Sequence, residues 1–554
     1  HPDSVLSIAE GKSLTIYGGE QDFMTPDLGG ADLGEGNYNL SIMAGAWVDF
    51  YSAAEGNFLK AGEKILVTDA TDDVNTRLGS RLDLNATALG SRIAGTIEAT
   101  GKNSEIWIDG MGTTILSGEI SVADNANLFV NSDLFVNGGK IFSAGSSSAA
   151  VDVMADNNLY LNADSELTLE DGSHLHNAGY VEVNNGTVTL RSNGYIRNYA
   201  GPNSFRFNDG GTFNIETDAL IDHGFTFQGF GVKTAVTIKN ATVTFAAGVL
   251  GFGNVTMTGE GNATAEIEGV WNGATQAQYA RDVIAIANDF AINNFAFEAI
   301  NDSTVVNPSD RETVIEVSAA LAMSGNFSVK ADVLHVFNTA NLTVSLDNDT
   351  ATDEFLFQIG RYEGFADTPG QLGQRIAITV TQDPAKDIVY SYKLAEKADN
   401  LKADYFTVNT PDYTVVEKDG AFYLNYAVSP ELNLSVNDQS GAKDDYTYTG
   451  SIGTAKQEGF TYSVSCTVGE DVFSVEVDAD GNFSVELVPA AARFENVTFT
   501  ATVTDPAGNE TSQSMDKLIS DVTDPVLGAS LDAVVEDRNV TINWDAATDN
   551  VAVA

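Results

Sequence analysis

Few groupings in this chain have residue types and spacing suited to chemistry. Asp347-Asn348-Asp349, followed closely by Asp353-Glu354, gathers oxygen ligands in one short stretch. It lacks the glycine and the spaced glutamate of an EF-hand loop. Asp347 and Asp349 are therefore candidate calcium ligands in another loop geometry, with a solvated acidic loop as the alternative. Asp478-Ala479-Asp480 fails the same test and reads as a hairpin turn. His174 and His176 lie two apart, on one face of a strand, where two imidazoles could share a metal. No third ligand is evident beside them, so a plain surface strand is the competing reading. Catalysis has no sharp candidate. Carboxylates are everywhere, so adjacent pairs carry little information, and no Gly-x-Ser-x-Gly, His-Glu-x-x-His or phosphate loop occurs. The chain reads as a non-enzyme.

Composition narrows the partners. The 554 residues hold 78 acidic and 28 basic side chains, a formal charge of -50. Nucleic-acid binding needs a surplus of Lys and Arg to displace counterions, and anionic membrane surfaces repel a polyanion in the same way. No run approaches the ~20 apolar residues that span a bilayer. Hydrophobic residues reach 43%, enough for real cores. The single cysteine, Cys466, rules out a disulfide framework within the chain and any zinc site built on several cysteines. A start at His1, without a basic or apolar leader, is read as a processed or trimmed terminus.

The elements that must position these residues are strands. Gly, Asn, Thr, Ser, Asp and Val abound, while Pro is scarce. Apolar–polar–apolar triplets recur: Ile106-Trp107-Ile108, Leu128-Phe129-Val130, Leu134-Phe135-Val136, Leu159-Tyr160-Leu161, Leu167-Thr168-Leu169, Val181-Glu182-Val183. The outer two residues of each share one face. Separators such as Asn184-Asn185-Gly186 and Asn208-Asp209-Gly210-Gly211 are turn formers. Steps of roughly six to ten residues suit an all-β, right-handed parallel β-solenoid with coils of about 20 residues, each giving two or three short strands. Stacked turn asparagines would form hydrogen-bonded ladders. A series of β-sandwiches is the alternative. Residues 1–100 read as a cap and first coils, 101–345 as solenoid, and 346–430 as a β-rich join. Ala274 to Asp289 is the best helix candidate.

The repeat resembles the β-helical passengers of secreted bacterial adhesins and the pectin-lyase-like solenoids. No Arg-x-Pro-x-x-Arg pattern of the pectate-lyase type occurs. In 431–522, Val477-Asp-Ala-Asp-Gly-Asn-Phe-Ser-Val485 sets a tight turn between alternating strands. Phe499 to Thr504, then Asp505-Pro506-Ala507-Gly508-Asn509, repeats the device. This resembles the bacterial Ig-like modules of large surface adhesins. In 523–554, Val540-Thr-Ile-Asn-Trp544 resembles a strand of a fibronectin type III module, whose Trp would fill the core. The chain stops inside that module, as one piece of a longer tandem array would. In such arrays junction carboxylates bind calcium, which implies Asp505, Asp521 and Asp524 as ligands.

The expectation is an extracellular, cell-surface structural or adhesive protein, stiffened by calcium, acting in adhesion, self-association or a surface layer. Its partners would be cell-surface or matrix glycans or proteins, or further copies in a filament or lattice. The competing reading is a carbohydrate-active solenoid, which needs clustered aromatics and at least two converging carboxylates on one face.

Overall fold

The computed structural model describes residues 4–548 apart from 53–56, 70–78, 146–149, 202, 223, 228–232, 250–253, 272–280, 302–310, 366–373, 399, 441–444, 488–495 and 522. Strands make up 58% of it, and the described residues contain no α-helix. The chain forms two compact units. One comprises 1–387, 393–410 and 415–423; the other comprises 388–392, 411–414 and 424–554.

The larger unit is built on long parallel sheets. The first has nine strands, from Val5–Ser7 to Tyr195–Asn198. The second has sixteen, from Leu14–Tyr17 to Phe406–Val408. The third has eight, from Asn57–Leu59 to Phe225–Phe227. Between Arg81 and Phe207 successive strands visit the first, third and second sheets in rotation, and each pairs in parallel with the strand one circuit earlier. This arrangement is consistent with a β-helix. The sandwich alternative, which needs antiparallel pairs, does not describe this region.

Alternation explains why these segments are strands. In all six triplets the outer residues, from Ile106 and Ile108 through Val181 and Val183, are completely buried, and the middle residue faces outward. Ile97, Ile120, Ile141, Leu167, Val188 and Phe213 occupy one column through parallel register. Each buried side chain of this size contributes about 1.5–3 kcal/mol.

The corners are tight because coils must stack at strand spacing. A methyl group at Gly118 would lie 2.0 Å from the Gly95 carbonyl oxygen, and one at Gly95 would lie 2.2 Å from that of Glu63. The backbone donors that follow, Glu119 N–H and Thr96 N–H, bond to these same two carbonyls. Another corner carries the expected asparagine ladder. Asn162 donates to Asn137 Oδ1 (2.7 Å), Asn184 to Asn162 Oδ1 (3.3 Å), and Asn208 to Asn184 Oδ1 (2.6 Å). The steps are 25, 22 and 24 residues, which measures the coil directly.

The first sheet ends at Asn198 and the third at Phe227; a fourth begins at Ala219–Ile221. Phe205, Phe207, Phe213, Phe225 and Phe227 stack inside this change of cross-section, at centroid separations of 4.5 Å (Phe205–Phe225) to 6.2 Å (Phe213–Phe225). Beyond it the second and fourth sheets alternate. Parallel pairing runs past Asn341–Asp347 to Ile376–Thr381 and Phe406–Val408. The helix expected over 274–289 is not formed in its described part. Arg281–Ile286 is a strand, paired in parallel with Glu312–Val317. Its Asp282, Ile284 and Ile286 are buried at every second position, so period two prevails over the Ala and Gln content. Residues 274–280 lie outside the described residues.

The smaller unit is antiparallel. Three strands (Ser435–Val436, Thr447–Ser451, Asn482–Glu486) and four others (Thr461–Val468, Asp471–Val475, Asn496–Thr504, Glu510–Leu518) share a core of Tyr448, Cys466, Phe483, Val497 and Phe499. Both expected turns form: Gly481 (φ 83°) and Gly508 (φ 90°) supply the left-handed residue. Leu531–Glu536 and Asn539–Trp544 make a hairpin. Trp544 is 70% exposed there and does not fill a core, because no further layer packs on the hairpin among the described residues.

Candidate functional site

The outer face of the first sheet concentrates the chain's chemically distinctive side chains. Parallel register builds two rows across the strands. One runs Glu20, Trp47, Arg81, Glu105, Asn127; the other runs Asp22, Asp49, Asp83, Trp107, Phe129, Asp152, His176, Arg197. Their neighbours Val48, Leu82, Ile106 and Leu128 point inward and fix the strands. Partners come both from the same strand, as with Arg81 and Asp83, and from one coil away, as with Asp152 and His176.

Aromatic and cationic groups form a continuous stack. The Arg81 guanidinium lies 4.3 Å from the Trp47 ring and 4.2 Å from the Trp107 ring. Trp107 stacks on Phe129 with centroids 4.3 Å apart. Each cation–π contact contributes about 0.5–2 kcal/mol. The Arg81 Nη2 also donates to Asp83 Oδ2 at 2.6 Å. The Trp47 indole N–H is shared between Asp49 Oδ1 and Asp83 Oδ2, both at 3.2 Å.

The acids outnumber the cations. Asp49 and Asp83 are 5% and 4% exposed, and Arg81 pairs with Asp83. Burial first, then the neighbouring Asp83, pushes the Asp49 carboxyl up to about 7. The shift favours the protonated acid at Asp49, beside Asp83 on the adjacent strand. Glu20, Asp22 and Asp49 can also bring ligand oxygens within 4.8 Å of one another, the one such group among the described residues. Hard oxygen donors of that kind suit calcium.

Further along the sheet, His176 Nδ1 lies 2.9 Å from Asp152 Oδ1. His174 is 4% exposed and stacks on Tyr195 at 4.9 Å. Burial, then His176 and Arg197, draws its imidazole down to about 4, so it is neutral at pH 7. The two histidines do share a face, with ring centroids 4.1 Å apart, yet no carboxylate joins them in a three-ligand group.

The five carboxylates singled out from sequence lie elsewhere. Asp347 caps its own turn, accepting from Asp349 N–H and Thr350, and Asp349 pairs with Lys386 at 2.6 Å. Asp505 is 5% exposed, and Asn509 occupies both of its oxygens at 2.8 Å. Asp521 Oδ1 accepts from Thr523 N–H at 3.0 Å, and Asp524 lies outside any strand. None of the five belongs to a group of three converging ligands among the described residues. The Asp22, Asp49 and Asp83 row was missed because only coil register assembles it.

Neither a protein-family model nor a curated protein sequence matches this chain.

Proposed function

We propose that this chain is an extracellular structural protein. A right-handed β-solenoid, followed by an Ig-like module and a fibronectin type III-like module, serves adhesion, self-association or a surface layer. The observation that supports this reading is the outer face of the first sheet. Its distinctive groups are turned on one another across coils: Arg81 between two indoles, the Trp47 N–H on Asp83, Asp152 on His176. The stack of Trp47, Arg81, Trp107 and Phe129 joins successive strands and clamps coil to coil. Single-molecule pulling tests the reading. A scaffold resists extension with high unfolding forces, and electron microscopy of the concentrated chain shows ordered assemblies. Low forces together with a persistently monomeric chain would remove it. Calcium belongs to the same proposal: millimolar calcium raises the thermal transition and chelator lowers it. An indifferent melting curve removes the calcium part alone.

A carbohydrate-active reading is favoured by one feature, the presence of Trp47, Trp107 and the acids Asp49 and Asp83 on a single face. Glycosidase carboxylates stand about 5–9.5 Å apart to admit a sugar and water. Asp49 and Asp83 instead sit directly opposite each other on adjacent strands and are buried, which is why the structural reading stands first. Release of reducing ends or unsaturated products from a polysaccharide panel would reverse that order.

A further inference from the structure

The smaller unit holds a cavity of about 670 Å³, within the roughly 300–1,000 Å³ of small-ligand pockets. It opens where the core of that unit ends. Phe460, Tyr462 and Val464 follow at every second position, and Tyr462 stands opposite Val503 in register. Ile452 and Val503 border the cavity at 1% exposure, whereas Phe460 and Tyr462 are half-buried. Four rings make a continuous wall. Tyr426 meets Tyr390 edge-on at 5.7 Å, Tyr390 meets Phe460 edge-on at 5.4 Å, and Phe460 lies nearly parallel to Tyr462 at 6.1 Å. Hydrogen bonds hold the wall before any ligand arrives. Gln457 N–H donates to the Tyr462 hydroxyl at 3.1 Å, Tyr426 N–H to the Tyr390 carbonyl at 2.9 Å, and Asn509 Nδ2 to the Tyr426 carbonyl.

Polar side chains border this wall. Glu431, Asn433 and Gln457 are exposed, and their side chains make no hydrogen bond or ion pair among the described residues. Asp505, the other acid of the lining, is buried with both oxygens on Asn509. No Lys, Arg or His lines the cavity among the described residues, so an anionic ligand finds no counter-charge there. Ring faces carry partial negative charge and attract C–H groups, whereas Asn, Gln and Glu side chains offer donors and acceptors to neighbouring hydroxyls. A sugar presents both surfaces without charge. We infer that this cavity binds a neutral saccharide of one or two rings, with a C–H face on the aromatic wall and hydroxyls on Glu431, Asn433 and Gln457. The inference deepens the adhesive reading and rests on it, yet the two fail separately, because pulling forces and assembly are measured without sugar.

Neutral mono- and disaccharides of the common hexoses and N-acetylhexosamines are the probes, with glucuronic and galacturonic acids as anionic controls and tetramethylammonium as a cation. Saturation-transfer NMR and calorimetry are run on the full chain. At least one neutral saccharide should bind with a dissociation constant of about 1 mM or tighter, which suffices for attachment when many copies act together. The uronic acids and tetramethylammonium should not bind. Asn433→Ala and Gln457→Ala, at exposed positions, should each weaken binding roughly threefold to tenfold. Tyr390→Ala should abolish it. No binding by any neutral saccharide overturns the proposal, as does a uronic acid or tetramethylammonium binding as tightly as the best of them. Affinity unchanged in all three variants overturns it too. If Tyr390→Ala fails to fold, undiminished binding in the two exposed variants is enough to do so.

Discussion

Asp49 and Asp83 face each other across neighbouring strands in direct register, and burial together with Asp83 pushes the Asp49 carboxyl up to about 7. Glu20, Asp22, Trp47 and Arg81 complete their surroundings, with a single positive charge among them. The folded-state value for Asp49, about 7, exceeds its ordinary 3.8. The folded chain therefore holds a proton that the unfolded chain releases. Stability from this group is complete below about 4 and is lost as pH rises through about 7, at up to about 1.4 kcal/mol per unit. Asp49→Asn, which mimics the protonated acid, should flatten that slope and melt higher than the unmodified chain in mildly alkaline buffer. Parallel melting curves across this window, with and without the substitution, would show that Asp49 is not held protonated in the folded chain.

Arg81 is the one cation serving Asp83 and two indoles. Arg81→Met keeps an apolar stem between Trp47 and Trp107 but strands the Asp83 carboxylate, whose side chain is 5% exposed. Removing one partner of a buried pair costs about 3–5 kcal/mol. The double change Arg81→Met with Asp83→Asn should recover much of it. Denaturant titration of the four chains gives the coupling, and a single substitution costing no more than a surface change would refute the clamp.

His174 carries the opposite pH signature. Its imidazole titrates at about 4 when folded, against 6.5 ordinarily, with His176, Arg197, Tyr195 and Asp152 around it. Its contribution is present above 6.5 and lost as pH falls toward 4. His174→Phe should hold its melting temperature in mild acid better than the parent does. NMR titration of the ring resonances checks this directly, and a midpoint near the ordinary histidine value would contradict it.

The alternation and turns of this fold were readable, while most side-chain contacts between coils were not. Ile106, Ile108, Val181 and Val183 announce their burial because alternation is a property of adjacent residues. The Asn162–Asn184–Asn208 ladder was foreseeable from repeated turn asparagines at nearly constant spacing. Arg281–Ile286 was misread because Ala and Gln are good helix formers, while its pairing with Glu312–Val317 lies far along the chain. The Trp47–Asp83 contact spans 36 residues, an uneven step that no local rule yields. Seventy-eight acidic side chains hide the few that matter, since burial and register, not residue type, set Asp49 apart.

Gly118 tests the stacking itself. Its missing side chain is what lets the Gly95 carbonyl oxygen approach and accept from Glu119 N–H at 3.0 Å. An added methyl group would sit 2.0 Å from that oxygen, which is backbone and cannot swing away. Gly118→Ala must therefore push two coils apart, at about 1–3 kcal/mol or more. Gly138 is the control. It has φ 70° but open space around its Cβ position, so only backbone conformation demands glycine there, and Gly138→Asn should be nearly silent. Thermal melts of both variants decide the matter. If Gly118→Ala melts with the parent, the coils are not packed at strand spacing along this corner. If Gly138→Asn is the more damaging of the two, turn conformation rather than coil contact governs the glycine positions.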